Sequence, residues 1–212
     1  TVPIFEDILA AFQSGDALMQ AMILTAWAGI AVFVAMNLKS LAWNLRAFRN
    51  WTGSEAYQAF LKTNAQSQLM ALPLALAMSV NGLFVAGLVF VPGLWSVVEY
   101  LFPLALLAFA AIAVLAFRLY GHFIARIKVE GGFNHAANNS FGQILPAFAF
   151  AMIGVGMAAP AAMSGSASVV GLAIIASTFL MITATLIAGI ALVLGIRSML
   201  DHGTNAETAP TL

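Results

Sequence analysis

Charge is what this chain has least of. Only 8% of its 212 residues are Asp, Glu, Lys or Arg, against 62% hydrophobic. A soluble domain clothes itself with about a quarter charged residues, so a water-soluble fold is excluded and the chain reads as an integral membrane protein. Cysteine is absent, which removes disulfides, thiolate metal sites and a thiol nucleophile together. The three histidines, His122, His135 and His202, all fall in polar segments. Neither a bis-histidine haem within the bilayer nor an intramembrane Ser/His pair can be built from them. No carboxylate interrupts an apolar run, which argues against a proton relay or a carboxylate-held cation, since those depend on ionisable groups at membrane depth. Gly154-x-Gly156 has no strand before it and is no dinucleotide loop; close helix packing or a bend accounts for it. The protein is therefore not expected to be an enzyme, and no catalytic residue, cofactor, metal or nucleic-acid partner is expected.

What remains is a set of long apolar runs. A span needs about 20 apolar residues, and the uncharged stretches between Asp16 and Lys39, Lys62 and Glu99, Glu99 and Arg118, and Glu130 and Arg197 supply five. The expected fold is an all-α polytopic membrane protein, one transmembrane domain over 1–212. Its spans are placed at about 19–38, 69–91, 100–118, 141–159 and 169–196 by run length. Residues 1–18 read as a short interfacial lead-in. After Lys39 the first helix is expected to continue into water with Leu38, Leu41, Leu45 and Phe48 on one face, and Ser54 to Lys62 as a short helix. Residues 39–68 and 118–140 form the polar loops. Pro92 to Trp95 is the turn after the second span, and Pro160 with Ser164-Gly165-Ser166 divides the fourth span from the fifth.

In this arrangement all eight Lys and Arg residues fall on one side, and Glu6, Asp7, Asp16 and Glu99 on the other. The positive-inside rule makes the basic side cytoplasmic, giving an N-out, C-in topology. Spans two and three, and spans four and five, are then hairpins of the same direction: a parallel repeat. Span one is left unpaired, and the tail Ala209-Pro210-Thr211-Leu212 reads as the approach to a further hairpin. Both features are expected of one part of a larger array.

The repeat extends to local pattern. Asn64, Gln66 and Ser67 precede Pro73; Asn138, Asn139, Ser140 and Gln143 precede Pro146. Each proline is followed by Ala alternating with Leu or Phe, then by a methionine (Met78, Met152) and glycine (Gly82; Gly154, Gly156). Pro73 and Pro146 are expected to remove a helical hydrogen bond and kink their helices. Ser79 and Asn81 lie deep enough to need either a neighbouring helix, as hydrogen-bonded glue, or water. Asn138, Ser140 and Gln143 read as an N-cap and first turn, or as the inner mouth of a pore. Phe148 and Phe150 read as core packing, or as a plug across a narrow path.

The segments TNAQSQLMALPLALAMSVNG, with FVPGLW after it, and FNHAANNSFGQILPAFAFAMIGVG resemble inner helices of the tellurite-resistance/C4-dicarboxylate transporter family, which includes the slow anion channels of plant guard cells. The resemblance spans Met19 to Leu200 by pattern. It implies a pore walled by ten helices in five hairpins, inner helices bent at proline or glycine, an occluding phenylalanine and a trimer of separately conducting protomers. Five spans are half that number. On this alignment spans two and four are the inner helices, with Ser67, Pro73, Ser79, Asn81, Asn138, Ser140, Gln143, Pro146 and Gly154 as pore-lining candidates, and Phe148 and Phe150 as constriction candidates. The function implied is an anion channel or transporter of the dicarboxylate, sulfite, chloride or nitrate class in a bacterial or archaeal inner membrane. Its partners would be the lipid bilayer, small anions and further copies of the chain. The alternatives are an anchor or scaffold subunit that transports nothing, and a pore for neutral solutes.

Overall fold

A computed structural model describes residues 3–204; the expected approach to a further hairpin, at 209–212, lies outside them. Seven α-helices account for most of the described chain, and no strand occurs among its residues: α1 (Phe5–Ser14), α2 (Ala17–Trp51), α3 (Glu55–Phe60), α4 (Ala71–Phe90), α5 (Leu94–Glu130), α6 (Leu145–Met163) and α7 (Ala167–His202). Five of them, with the 3-10 segments that lead into α4 and α6, are long and apolar enough to cross a membrane.

Local chemistry sets most boundaries. Asp16 caps α2, its carboxylate accepting from the Met19 N–H at 2.9 Å, and Ser54 caps α3 by accepting from the Tyr57 N–H at 3.2 Å. Gly93 takes the left-handed conformation (φ +70°) that turns α4 into α5, a backbone only glycine adopts without penalty.

The entries to α4 and α6 differ from expectation. Asn64–Met70 and Phe141–Ile144 are 3-10 turns, and the α-helical hydrogen-bond pattern begins only at Ala71 and Leu145. Pro73 and Pro146 therefore stand in the first turn of their α-helices, at the junction with the 3-10 segments. A first-turn N–H has no intrahelical partner to lose, and the fixed proline φ suits that position. Pro160, expected to end a span, is carried inside α6, which runs on to Met163. Helix α5 passes Arg118 without a break and continues to Glu130, so only the later part of the expected 118–140 loop is non-helical.

The bundle has a basic end, where α2, α5 and α7 finish and α4 and α6 begin, and an acidic end with the α4–α5 and α6–α7 turns. The core lies among α4, α5, α6 and α7: Phe109, Phe150, Ile153, Met157 and Leu180 are buried around Ala77 and Ala113. Gly156 is what lets α6 approach α5, since a Cβ there would fall 2.2 Å from the Phe109 ring.

Helix α2 stands at the rim and buries no residue. It lies antiparallel on α4 in a register that its charge pattern did not indicate. Trp27 meets Phe90 with ring centroids 6.4 Å apart, Asn37 meets Ser79, and Leu41, Phe48 and Trp51 line a groove against Ala71, Leu72 and Ala75. Leu41, Leu45 and Phe48, expected to follow the helix into water, instead border the basic-end half of α4. Lys39, expected at the edge of the first span, lies abreast the middle of α4. Residues preceding Trp27 pack with α1, whose Phe5 and Phe12 stack on the Trp27 ring.

Candidate functional site

Two polar regions interrupt the apolar bundle. The first crosses the middle of α4. The Ser79 hydroxyl, 5% exposed, approaches the Asn37 Oδ1 of α2 at 2.8 Å and the Ala75 carbonyl of its own helix at 2.9 Å. One hydroxyl proton serves one acceptor at a time, so it is shared between a bond across the helices and one within α4. Two residues on, the Asn81 amide donates to the Met152 sulfur of α6 at 3.5 Å. Asn37, Ser79 and Asn81 thus form a polar seam from α2 through α4 to α6.

The seam separates two cavities. On one side, a groove of about 490 Å³ runs between α2 and α4, with Asn37, Ser79 and Asn81 set among Phe33, Val34 and Met78. On the other, a pocket of about 330 Å³ lies between α4, α5 and α6 beneath Phe84, Phe102 and Phe109, and Asn81 is the one side chain with a polar amide in its wall. The second pocket offers an ion only the Asn81 amide in place of its hydration. The groove offers a hydroxyl and two amides at the same depth.

The second polar region ties the basic end together. The Asn64 side-chain amide donates to the Asn134 carbonyl at 2.7 Å, and its oxygen accepts from the Asn134 N–H at 3.1 Å. Gln143 donates to the Asn64 carbonyl at 3.1 Å, Gln68 to the Gly142 carbonyl at 2.7 Å, and Ser67 to the Asn64 carbonyl at 3.1 Å. Arg126, from the extension of α5, donates to the Gln66 Oε1 at 2.7 Å and to the Lys62 and Thr63 carbonyls. The Ser198 hydroxyl of α7 donates to the His135 carbonyl. These bonds satisfy the 3-10 turns and the loop, whose carbonyls would be costly to leave unpaired away from water. One group stays outside the network: the Asn138 side-chain amide nitrogen is buried with no hydrogen-bond partner among the described residues.

Carboxylates do the corresponding work at the acidic end. Glu99 accepts from the Ser164 hydroxyl at 2.8 Å and from the Gly165 N–H at 2.6 Å, pinning the α6–α7 turn to α5. Glu6 accepts from the Gly93 N–H at 2.6 Å, pinning α1 to the α4–α5 turn.

The sequence candidates are therefore dispersed. Ser79 and Asn81 meet in the seam. Ser67, Asn138, Ser140 and Gln143 belong to the basic-end region, where Ser140 accepts from the Gly142 N–H at 3.3 Å as a cap. Pro73 and Pro146 are fully buried. Gly154 packs against Leu180 and Met181 of α7. The two phenylalanines diverge: Phe150 is fully buried against Phe117, ring centroids 4.7 Å apart, whereas Phe148 is 61% exposed beside the α6–α7 surface groove. Asn37 is the site residue that sequence reasoning missed. Its one signal was an uncharged amide within an apolar run. Comparison with models of known protein families, with curated proteins and with solved structures finds no match to this chain.

Proposed function

We propose that this is an integral membrane transport protein that passes small anions along a path walled by α4 and α6. The observation that carries the reading is the polar seam of Asn37, Ser79 and Asn81 across the middle of α4, in which the Asn81 amide reaches the Met152 sulfur of α6. Polar groups there are expensive, and they mark substrate and ion pathways. A nearly uncharged lumen with hydroxyl and amide dipoles binds an ion weakly enough to release it. Anion rather than cation preference comes from the resemblance to the tellurite-resistance/C4-dicarboxylate transporter family, which also supplies the trimer.

The topology we adopt is N-out and C-in, with the basic end cytoplasmic, in a bacterial or archaeal inner membrane. The parallel repeat belongs to the same proposal. Its support is that α4 and α6 each follow a 3-10 turn, carry proline in the first α-helical turn and start from the basic end.

The test is the zero-current potential of the purified protein in planar bilayers under a tenfold chloride gradient. A value near the chloride Nernst potential is expected. A silent bilayer, repeated with Phe148→Ala, would sink the reading. The second reading, a scaffold subunit, is favoured by the Ser79–Asn37 bond, which stitches α2 to α4. Asn81→Leu with Ser79→Ala separates the two. In a transport protein flux changes while assembly survives; in a scaffold assembly fails and there is no flux to change. Solute-driven swelling without current would instead mean a path for neutral molecules.

A further inference from the structure

We propose that the pocket between α4, α5 and α6 is a binding site for a neutral, apolar alcohol that sets its hydroxyl against Asn81. The inference goes beyond the transport reading and does not depend on it. It concerns an uncharged molecule and is read by binding, not by flux.

The pocket has the size and the lining of a small-molecule site. Its volume is about 330 Å³, within the range of such cavities, which are mostly apolar with few, placed polar groups. Phe84, Phe102 and Phe109 form the aromatic wall, and Gly87, Ala105 and Ala159 leave the room between the helices. Among the described residues no charged side chain and no hydroxyl lines it. An ion or a sugar buried there would leave most of its polar groups unpaired. A hydrocarbon or aromatic body would not.

Asn81 gives the site its one preference. Its side chain is turned toward α6, where an amide N–H meets the Met152 sulfur at 3.5 Å; that is its one hydrogen bond among the described residues. A side-chain amide has two donor hydrogens and an acceptor oxygen, and a thioether is a weak acceptor. The oxygen is thus left without a donor. It is not sealed off, as the unpaired Trp27 Nε1 and Asn138 Nδ2 are, but keeps accessible surface. An unpaired amide oxygen away from water is costly, and no other side chain of the pocket wall can donate to it. A ligand hydroxyl can.

Shape sets the orientation. On α4 the wall runs from Asn81, near the middle of the helix, to Val91, with Leu94 and Pro160 beside that end. At 1.5 Å per residue, Asn81 to Val91 is about 15 Å. The polar group therefore stands at one end of an elongated apolar pocket. A fitting ligand is elongated too, with its hydroxyl inward and its tail toward the α4–α5 turn. Leu83 also lines the pocket and is 48% exposed, so the site is reached from the lipid-facing surface, where an apolar alcohol concentrates. A phospholipid acyl chain is the poorer occupant, because it brings only methylene and methyl groups to Asn81.

The test uses octanol carrying a photoreactive diazirine, applied to the purified protein in phosphatidylcholine nanodiscs, with adducts located by peptide mass spectrometry. Labelling in the pocket is expected to saturate and to be displaced by unmodified octanol. Labelling at Ile175, on the exposed surface of α7, is expected to do neither. A diazirine beside the hydroxyl should mark the wall near Asn81 and Ala105; one at the tail should mark Val91, Leu94 or Pro160. Ala105→Phe and Ala159→Leu fill the pocket from different helices, and each should abolish the saturable labelling. Asn81→Leu should raise the half-saturating concentration of the alcohol about two- to tenfold, the worth of one hydrogen bond. It should leave that of the matching diazirine alkane unchanged. Labelling no more saturable in the pocket than at Ile175, or saturable labelling that survives both filling substitutions, overturns the site. An alcohol indifferent to Asn81→Leu, or a reversed order of labelling along the pocket, overturns the role of Asn81. Labelling as expected in a protein that passes no chloride sinks the transport reading and leaves this inference standing.

Discussion

Asn64 and Asn134 bind each other reciprocally: the Asn64 amide donates to the Asn134 carbonyl, and the Asn134 N–H donates to the Asn64 side-chain oxygen. One side chain thereby imitates a short piece of backbone ladder, joining the entry of α4 to the loop that feeds α6. Asn64 is buried but Asn134 is exposed, so water can reach the carbonyl and the N–H that an alanine would release, and the loss is the net worth of the two bonds, about 0.5–1.5 kcal/mol each. Asn64→Ala is expected to lower the thermal midpoint of the purified protein and to speed hydrogen exchange at Asn134 selectively. Asn64→Asp keeps the acceptor and loses the donor, so Asn134 N–H protection should survive it. Equal loss in both variants would show that the pairing is not what holds the loop.

Close approach of α5 and α6 gives a second prediction. A Cβ on Gly156 would lie 2.2 Å from the Phe109 ring, and that ring is itself buried. Overpacking of this kind costs about 1–3 kcal/mol or more. Gly156→Ala is expected to be clearly destabilising in thermal unfolding. At Gly82, where nothing lies within 4 Å of the built Cβ, alanine should be neutral or slightly stabilising through its better helix propensity. A neutral Gly156→Ala would mean that the two helices separate more easily than their packing indicates.

Glu99 supplies a third. Its carboxylate holds the Ser164 hydroxyl and the Gly165 N–H at the acidic end, while the residue itself remains exposed. Exposed charge pairs contribute little to global stability, so the effect should be local. Glu99→Ala is expected to raise hydrogen exchange at Gly165 and protease cleavage across 164–166, with little change in thermal midpoint. Unchanged exchange at Gly165 would show that the turn needs no such anchor.

These positions also show what could be read from the chain. Charge gaps marked the number of spans, because a charge within hydrocarbon is costly wherever the helix packs. The polar lead-in before Pro146 reads as a cap or as a pore mouth, and Ser140 caps the 3-10 turn. The place of each proline within its helix was not legible. The same residue breaks a helix interior and favours a first turn, and a preceding 3-10 turn looks helical in composition. Pairing across helices was the least legible. Periodicity says which face of α2 is apolar, yet nothing local says that Asn37 meets Ser79 rather than a residue one turn away. That register sets Lys39 abreast the middle of α4. Likewise, Glu99 read as a topology marker because its partners, 2.8 and 2.6 Å away in space, lie 65 and 66 residues away in sequence.

The two phenylalanines offer the sharpest division between packing and transport. Phe150 is fully buried among Phe117, Tyr120 and the α6–α7 core, so Phe150→Ala should cost about 3–5 kcal/mol as a cavity-forming truncation. Any change of flux in that variant would be secondary to loss of structure. Phe148, 61% exposed and two residues away on another side of α6, has little packing to lose, and Phe148→Ala should shift the thermal midpoint only slightly. If Phe148 narrows the path, chloride conductance in planar bilayers should rise several-fold in that variant while stability holds. The opposite pattern, a large stability loss at Phe148 or a conductance increase confined to a folded Phe150→Ala, would place the constriction inside the α5–α6 core and remove Phe148 from the path wall.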